Sequence, residues 1–354
     1  MRAWLALLGT LPLLLVGSGA VAGSSPTPRN GLIAAGGPHG ISLLDPQTSA
    51  QRLIAKTEDV EAPTWSPDGR LLAFEIWDDS GGTSVYSVRA DGTDLRLVLK
   101  NAWSPSWSPD SKQLVVARET CYQEPCGGDD FATSNLFLVD ADGGNPQQLT
   151  FVADGADTPE WSPDGKWIAF IGAGGIDLVQ PEEMVEPERS RSRWLLGVDD
   201  TAYELAWSPD GAWIAFVGDN GIYRASPPFG DPERLSRDEG AEHLAWSPDG
   251  AKIAFDHSEE ASPGMEIVLL DIVTRRQTGL TKHGVSGFAP TWSPDGQQLA
   301  FLANAKAAPE SGGGCPGSEV WTMNADGKDP RRLARGDFWS ASWGVDVPGL
   351  TRGD

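Results

Sequence analysis

The sequence predicts an all-β, seven-bladed β-propeller of four-stranded blades, and three observations carry that prediction. First, the phrase Trp-Ser-Pro-Asp recurs six times, at Trp65, Trp107, Trp161, Trp207, Trp246 and Trp292, and five copies continue into Gly. A worn copy, Ser342-Trp343-Gly344, closes the series. An interval of roughly 40–50 residues marks an array of supersecondary units, each with room for four strands. Second, the chain between the tryptophans reads as short strands and tight turns, with no sustained helical apolar period. Third, the two ends of the repeat region hold complementary fragments of one unit.

Each unit starts with a strand that ends at its tryptophan, which is expected to pack between neighbouring sheets. A buried aromatic of this size contributes about 3 kcal/mol or more against truncation. Ser-Pro-Asp-Gly follows as a turn. Proline presets φ, serine or aspartate bonds nearby amides, and glycine takes the positive φ. A second strand comes next, as in Leu71-Leu72-Ala73-Phe74, Trp167-Ile168-Ala169-Phe170, Trp213-Ile214-Ala215-Phe216 and Ile253-Ala254-Phe255. After a variable loop stands a third, such as Val85-Tyr86-Ser87-Val88 or Leu136-Phe137-Leu138-Val139. A turn like Ala141-Asp142-Gly143 or Ala325-Asp326-Gly327 leads to a short fourth strand. Ahead of the first tryptophan, Gly31–Ala34, Gly40–Leu44 and Arg52–Ile54 match strands two, three and four of a unit, and Ser340–Trp343 supplies only strand one. The fragments are expected to form one composite blade that closes the ring and removes its sheet edges.

The phrase Thr291-Trp292-Ser293-Pro294-Asp295-Gly296-Gln297-Gln298-Leu299-Ala300-Phe301, leading to Val320-Trp321-Thr322-Met323-Asn324-Ala325-Asp326-Gly327, closely resembles the propeller repeat of the TolB family. Similar repeats occur in the propellers of prolyl-oligopeptidase-like and tricorn-like peptidases. The resemblance implies a secreted binding propeller. Two departures keep it at the level of the repeat. TolB carries an α/β domain ahead of a six-bladed propeller, whereas seven blades are counted here behind a short linker. The peptidase relatives need a hydrolase domain, and the chain holds no Gly-x-Ser-x-Gly.

Met1-Arg2, the apolar stretch Ala3–Val16 and Ala20-Val21-Ala22 read as a secretory signal cleaved after Ala22. The expected organisation is signal 1–22, linker 23–30, propeller 31–347 and tail 348–354, in a monomer of the periplasm or the exterior. No later stretch approaches the length of about 20 apolar residues that a spanning helix needs. The formal net charge of -23 repels nucleic acid and anionic lipid. It suits cationic partners, divalent ions or plain solubility. Of the three cysteines, Cys121 and Cys126 share one loop and are the favoured disulfide, leaving Cys315 free; the two pairings that use Cys315 stay open. The two Arg-Gly-Asp tripeptides carry no assigned role.

One face of the ring carries the repeated short turns, and the other carries the variable loops, two of them long, Glu119–Ser134 and Ala303–Ser318. Function is expected on the variable face. Four positions before the successive tryptophans stand Glu61, Trp103, Asp157, Tyr203, Glu242, Phe288 and Trp339. In register, these residues ring the channel mouth, with His243 one place further in beside Glu204. Aromatics next to carboxylates suit cationic side chains, ammonium groups or sugar rings; an aromatic plug is the structural alternative. The reading is therefore a non-catalytic binding propeller for a protein segment or envelope polymer, with no cofactor predicted and calcium left open. The rival is an extracytoplasmic metal-dependent lyase or lactonase in which His243, Glu242, Glu204 and Asp157 converge. The Asp-Gly turns lack the downstream glutamate of a calcium loop.

Overall fold

The structure is a computed structural model that describes residues 29–78, 81–121, 132–152, 155–172, 175–181, 202–228, 230–258, 264–281, 286–304, 318–348 and 350. The signal sequence, the proposed Cys121–Cys126 bond and Cys315 lie outside the described residues or side chains. Among the described residues there are seven antiparallel sheets, six of four strands and one of three. Blades are numbered from Trp65 (blade 1) to Trp292 (blade 6), with the composite as blade 7. Blade 3 contains Ala156–Trp161, Ile168–Gly172 and Gly175–Val179. Blade 7 is composite as the sequence predicts: Ser340–Val345 pairs with Asn30–Gly37, bringing Ser342 opposite Ala34 and Trp343 opposite Ile33. No helix of the described residues is long and apolar enough to cross a membrane.

No blade has a core of its own. The buried apolar residues fall into seven clusters, each shared by two neighbouring blades. One joins Val217 and Ile222 of blade 4 to Ile253 and Phe255 of blade 5; another joins Ile33 and Leu44 of blade 7 to Leu302 and Val320 of blade 6. Phe74, Phe170, Phe216, Phe255 and Phe301, nine places beyond their tryptophans, are fully buried in these seams. A two-faced sheet too narrow to fold alone is stable here because both faces are covered.

The repeated phrase has a fuller job than packing. Trp65, Trp107, Trp207, Trp246 and Trp292 each donate the indole N–H to a carbonyl of the preceding blade, at Ser342, Thr64, Glu160, Ala206 and Ala245, over 3.0–3.2 Å. Every acceptor is the residue just before that blade's own tryptophan. The indoles of Trp161 and Trp343 are buried and find no acceptor among the described residues. In all six turns the serine hydroxyl donates to the aspartate two residues on, for example Ser208 to Asp210 at 2.6 Å, and accepts the amide that opens the second strand, Trp213 to Ser208 at 2.9 Å. Turn glycines such as Gly211 sit at φ +69. Ser111, which replaces glycine in blade 2, is forced to φ 62 and accepts the Asp68 amide of blade 1 at 3.1 Å.

The long loop of blade 2 is shorter than the sequence suggests. Its second and third strands run through Gln113–Cys121 and Ala132–Asp140, so Glu119 pairs with Ser134 and Thr120 with Thr133. Asn135, 3% exposed, donates to Thr120 Oγ1 at 2.8 Å and accepts from Thr150 at 3.1 Å. That side-chain network carries pairing into a polar stretch without apolar alternation.

The indole hydrogen bonds make a comparison between blades. Trp207→Phe loses a buried hydrogen bond as well as ring area, and Trp161→Phe loses ring area alone. A net hydrogen bond contributes about 1 kcal/mol. Urea denaturation followed by circular dichroism is expected to show Trp207→Phe destabilised by about 1 kcal/mol more than Trp161→Phe.

Candidate functional site

The channel mouth is shaped by a β-bulge repeated in five inner strands. Pairing slips between Glu61 and Thr64, Trp103 and Ser106, Asp157 and Glu160, Glu242 and Ala245, and Phe288 and Thr291. The residue after the first of each pair, Ala62, Ser104, Thr158, His243 or Ala289, has φ between 44 and 53. A left-handed non-glycine residue costs about 1 kcal/mol, so the contacts that hold the bulges matter. Four of them cross a blade boundary. Ser104 N donates to Glu75 Oε1 (2.8 Å), His243 N to Glu204 Oε2 (2.7 Å), Ala289 N to Asp256 Oδ1 (3.1 Å) and Ala62 N to Ser340 Oγ (3.0 Å). Thr158 N instead uses the neighbouring Asp157, at 2.7 Å.

Inside this ring lies a cavity of about 530 Å³, bounded by inner strands of blades 1, 4, 5, 6 and 7, with Glu61, Glu75, Glu204, His243 and Trp339 on its wall. The aligned residues divide. Glu61, His243 and Trp339 line the cavity, and Glu61 also accepts from Trp77 Nε1 at 3.2 Å. Trp103 packs against the seam of blades 2 and 3 and donates its indole N–H to Asp157 at 2.7 Å. Phe288 packs into the seam of blades 6 and 7. Tyr203 is 47% exposed. Glu242 and His243 converge with Asp256, their ligand atoms all within 4.8 Å of one another.

The quartet of the rival reading does not gather as one group. Glu204 spends both carboxylate oxygens on the amides of His243 and Leu244, and Asp157 is bonded by Trp103. Glu75 and Asp256 were not among the sequence candidates. Both sit ten places after a repeat tryptophan, directly behind the buried Phe74 and Phe255. A carboxylate interrupting an apolar run was the signal, and hairpin counting would have paired Asp256 with Glu242.

Burial dominates the electrostatics. Desolvation pushes the Glu75 carboxyl up to about 7, with Glu61 and Asp157 adding to the rise and the Ser104 amide opposing it. Desolvation likewise pushes Glu160 up to about 8, against the bond from Trp207 N, and Glu204 adds to it. Water touches part of Glu160, but protein surrounds it so closely that surface exposure overstates its hydration. Glu204 is raised by desolvation and partly restored by His243. The bond to Asp256, 2.9 Å from Nδ1, raises His243 to about 9 and outweighs its own desolvation.

The chain matches no protein-family model. It is 31% identical to the Tol-Pal system protein TolB of Alcanivorax borkumensis over 67 residues, 18% of this chain and 15% of that protein. The crystal structure of TolB from Acinetobacter baumannii superposes with a TM-score of 0.53 at 17% identity, covering 88% of this chain and 65% of that one. The chain has a TolB-like β-propeller fold. An oligogalacturonate lyase in complex with manganese also superposes on this chain, with a TM-score of 0.60 at 16% identity, covering 80% of this chain and 82% of that one. The matched stretches span a third or less of the curated relatives' length. At such identities the structural likeness establishes the fold, and the chemistry rests on the site itself.

Glu75 and Glu160 make stability pH-dependent with a definite sign. Their folded pKa values lie above the ordinary 4.5, so the folded state holds more protons than the unfolded chain between about pH 4.5 and 8. Their stabilisation is present below that window and is lost as pH rises through it. The expected result is a melting temperature that falls from pH 5 to pH 8.5. Glu160→Gln, which keeps an oxygen for Trp207 N, matches the parent at pH 5 and melts higher at pH 8.5.

Proposed function

We propose that this chain is an exported, non-catalytic binding propeller, acting in the periplasm, that takes a basic segment of a protein partner into its channel mouth. The observation that carries the reading is the cavity in which Glu61 and Glu75 share a wall with Trp339. Its volume of about 530 Å³ suits a side chain or two. An aromatic face beside carboxylates is chemistry for a Lys or Arg head group, whose charge meets the carboxylates while its stem or plane covers the ring. The net charge of -23 draws cations toward the ring from solution. The rigid inner strands present these groups pre-arranged, which keeps the ordering cost of binding low.

Titration with short Lys- and Arg-rich peptides, followed by tryptophan fluorescence and calorimetry, tests the reading. Saturable binding that weakens with salt is expected. Glu61→Gln and Trp339→Ala should each weaken it about tenfold, or about 1.4 kcal/mol. Equal binding by both variants, or equal binding of acidic peptides, rejects the proposal.

A further inference from the structure

The chain carries 50 aspartates and glutamates, yet among the described residues only one group of three His, Cys, Asp or Glu side chains converges, namely Glu242, His243 and Asp256. Its origin is local. In a regular strand, residues 242 and 243 would face opposite sides of the sheet. The bulge between Glu242 and Ala245, with His243 at φ 53, cancels that alternation. A bulge re-aims a side chain in this way, and both residues turn toward Asp256, the register partner of Glu242.

We propose that Glu242, His243 and Asp256 form a site for one divalent transition-metal ion, Mn²⁺ or Zn²⁺, at the channel mouth. The donor set is one imidazole nitrogen and two carboxylate oxygens, which suits these ions. Calcium takes about six to eight oxygens instead. Bonds of roughly 2.0–2.2 Å bring donors of one ion closer together than the outer limit of 4.8 Å. Glu242, exposed to solvent, is free to make that adjustment. The other two are held. Asp256 is 1% exposed and anchored by the Ala289 amide. The backbone under His243 is clamped by Glu204, which accepts from both His243 N and Leu244 N. Such supports orient ligands in metal sites. On loading, the proton shared by His243 Nδ1 and Asp256 Oδ1 leaves to solvent and the ion takes its place. His243 also lines the cavity of about 530 Å³, so water or a guest completes the coordination from that side.

The site does not rest on the peptide-binding reading, and the two fail separately. The test is calorimetric titration of the EDTA-treated, dialysed protein with MnCl₂, ZnCl₂ and CaCl₂, with electron paramagnetic resonance on the manganese sample. One Mn²⁺ or Zn²⁺ per chain at micromolar affinity is expected, with calcium at least tenfold weaker. Glu242→Gln and His243→Ala alter exposed side chains. With folding verified by circular dichroism, each should weaken binding at least tenfold, and Glu61→Gln should leave it unchanged. Nitrogen hyperfine coupling from one imidazole should appear on bound Mn²⁺ and vanish in His243→Ala. Affinity no better than millimolar, binding that survives both trio substitutions, or calcium equal to manganese overturns the proposal.

Discussion

Neighbouring blades are joined through the tryptophan that ends each inner strand, and the structure depends on that seam. The ring packs into the apolar cluster shared with the preceding blade, and the indole N–H of five of the seven reaches the carbonyl ahead of that blade's tryptophan. One side chain thus supplies burial and a directional link, so each blade is positioned by its predecessor. A single four-stranded blade cannot cover its own apolar faces. Repetition around a circle solves this only if the circle closes. Closure brings Ser340–Val345 against Asn30–Gly37, and the carbonyl of Ser342 then serves Trp65 as Thr64 serves Trp107.

A closed ring of inner strands has a consequence for chemistry. Backbone polar groups that face the channel must find partners away from the sheet ladders. The bulges turn amides out of their own blades, and Glu75, Glu204, Asp256 and Ser340 accept them from next door. The acidic lining of the mouth is therefore partly structural, and Glu204, with both oxygens held by amides, is a poor candidate for ligand contact. What remains available is narrower than the whole ring: Glu61, Glu75 and Trp339 on the cavity wall, and the exposed Glu242 and His243 together with the buried Asp256. Raised carboxyl pKa values at Glu75 and Glu160 follow from the same crowding, because desolvation there outweighs the single amide each receives.

Much of this architecture was legible in the chain. Turn residues of fixed φ preference at a fixed interval determine blade number and strand order, and the complementary ends determine closure, because these are local and pairwise properties. Alignment on the tryptophans also picked out Glu61, His243 and Trp339, which share one cavity wall. It could not say that Trp103 and Phe288 would tuck into seams, that Tyr203 would stay exposed, or that Glu204 would be occupied by backbone amides. Positions −4 and −3 are equivalent in sequence but not in space, since a bulge shifts side-chain direction by an amount set by its pairing partner. Glu75 and Asp256 were overlooked for a related reason: they lie on the second strand, and only the hairpin register carries them to the mouth.

The sequence by itself thus determined the repeat, the closure and the sign of the field, because propensity, periodicity and charge are read residue by residue. The tertiary structure alone decided which carboxylates are spent on amides and which three groups meet. Those outcomes depend on contacts between residues as far apart as Glu204 and His243, or Asp256 and Ala289, which only the finished ring brings within a hydrogen bond of one another.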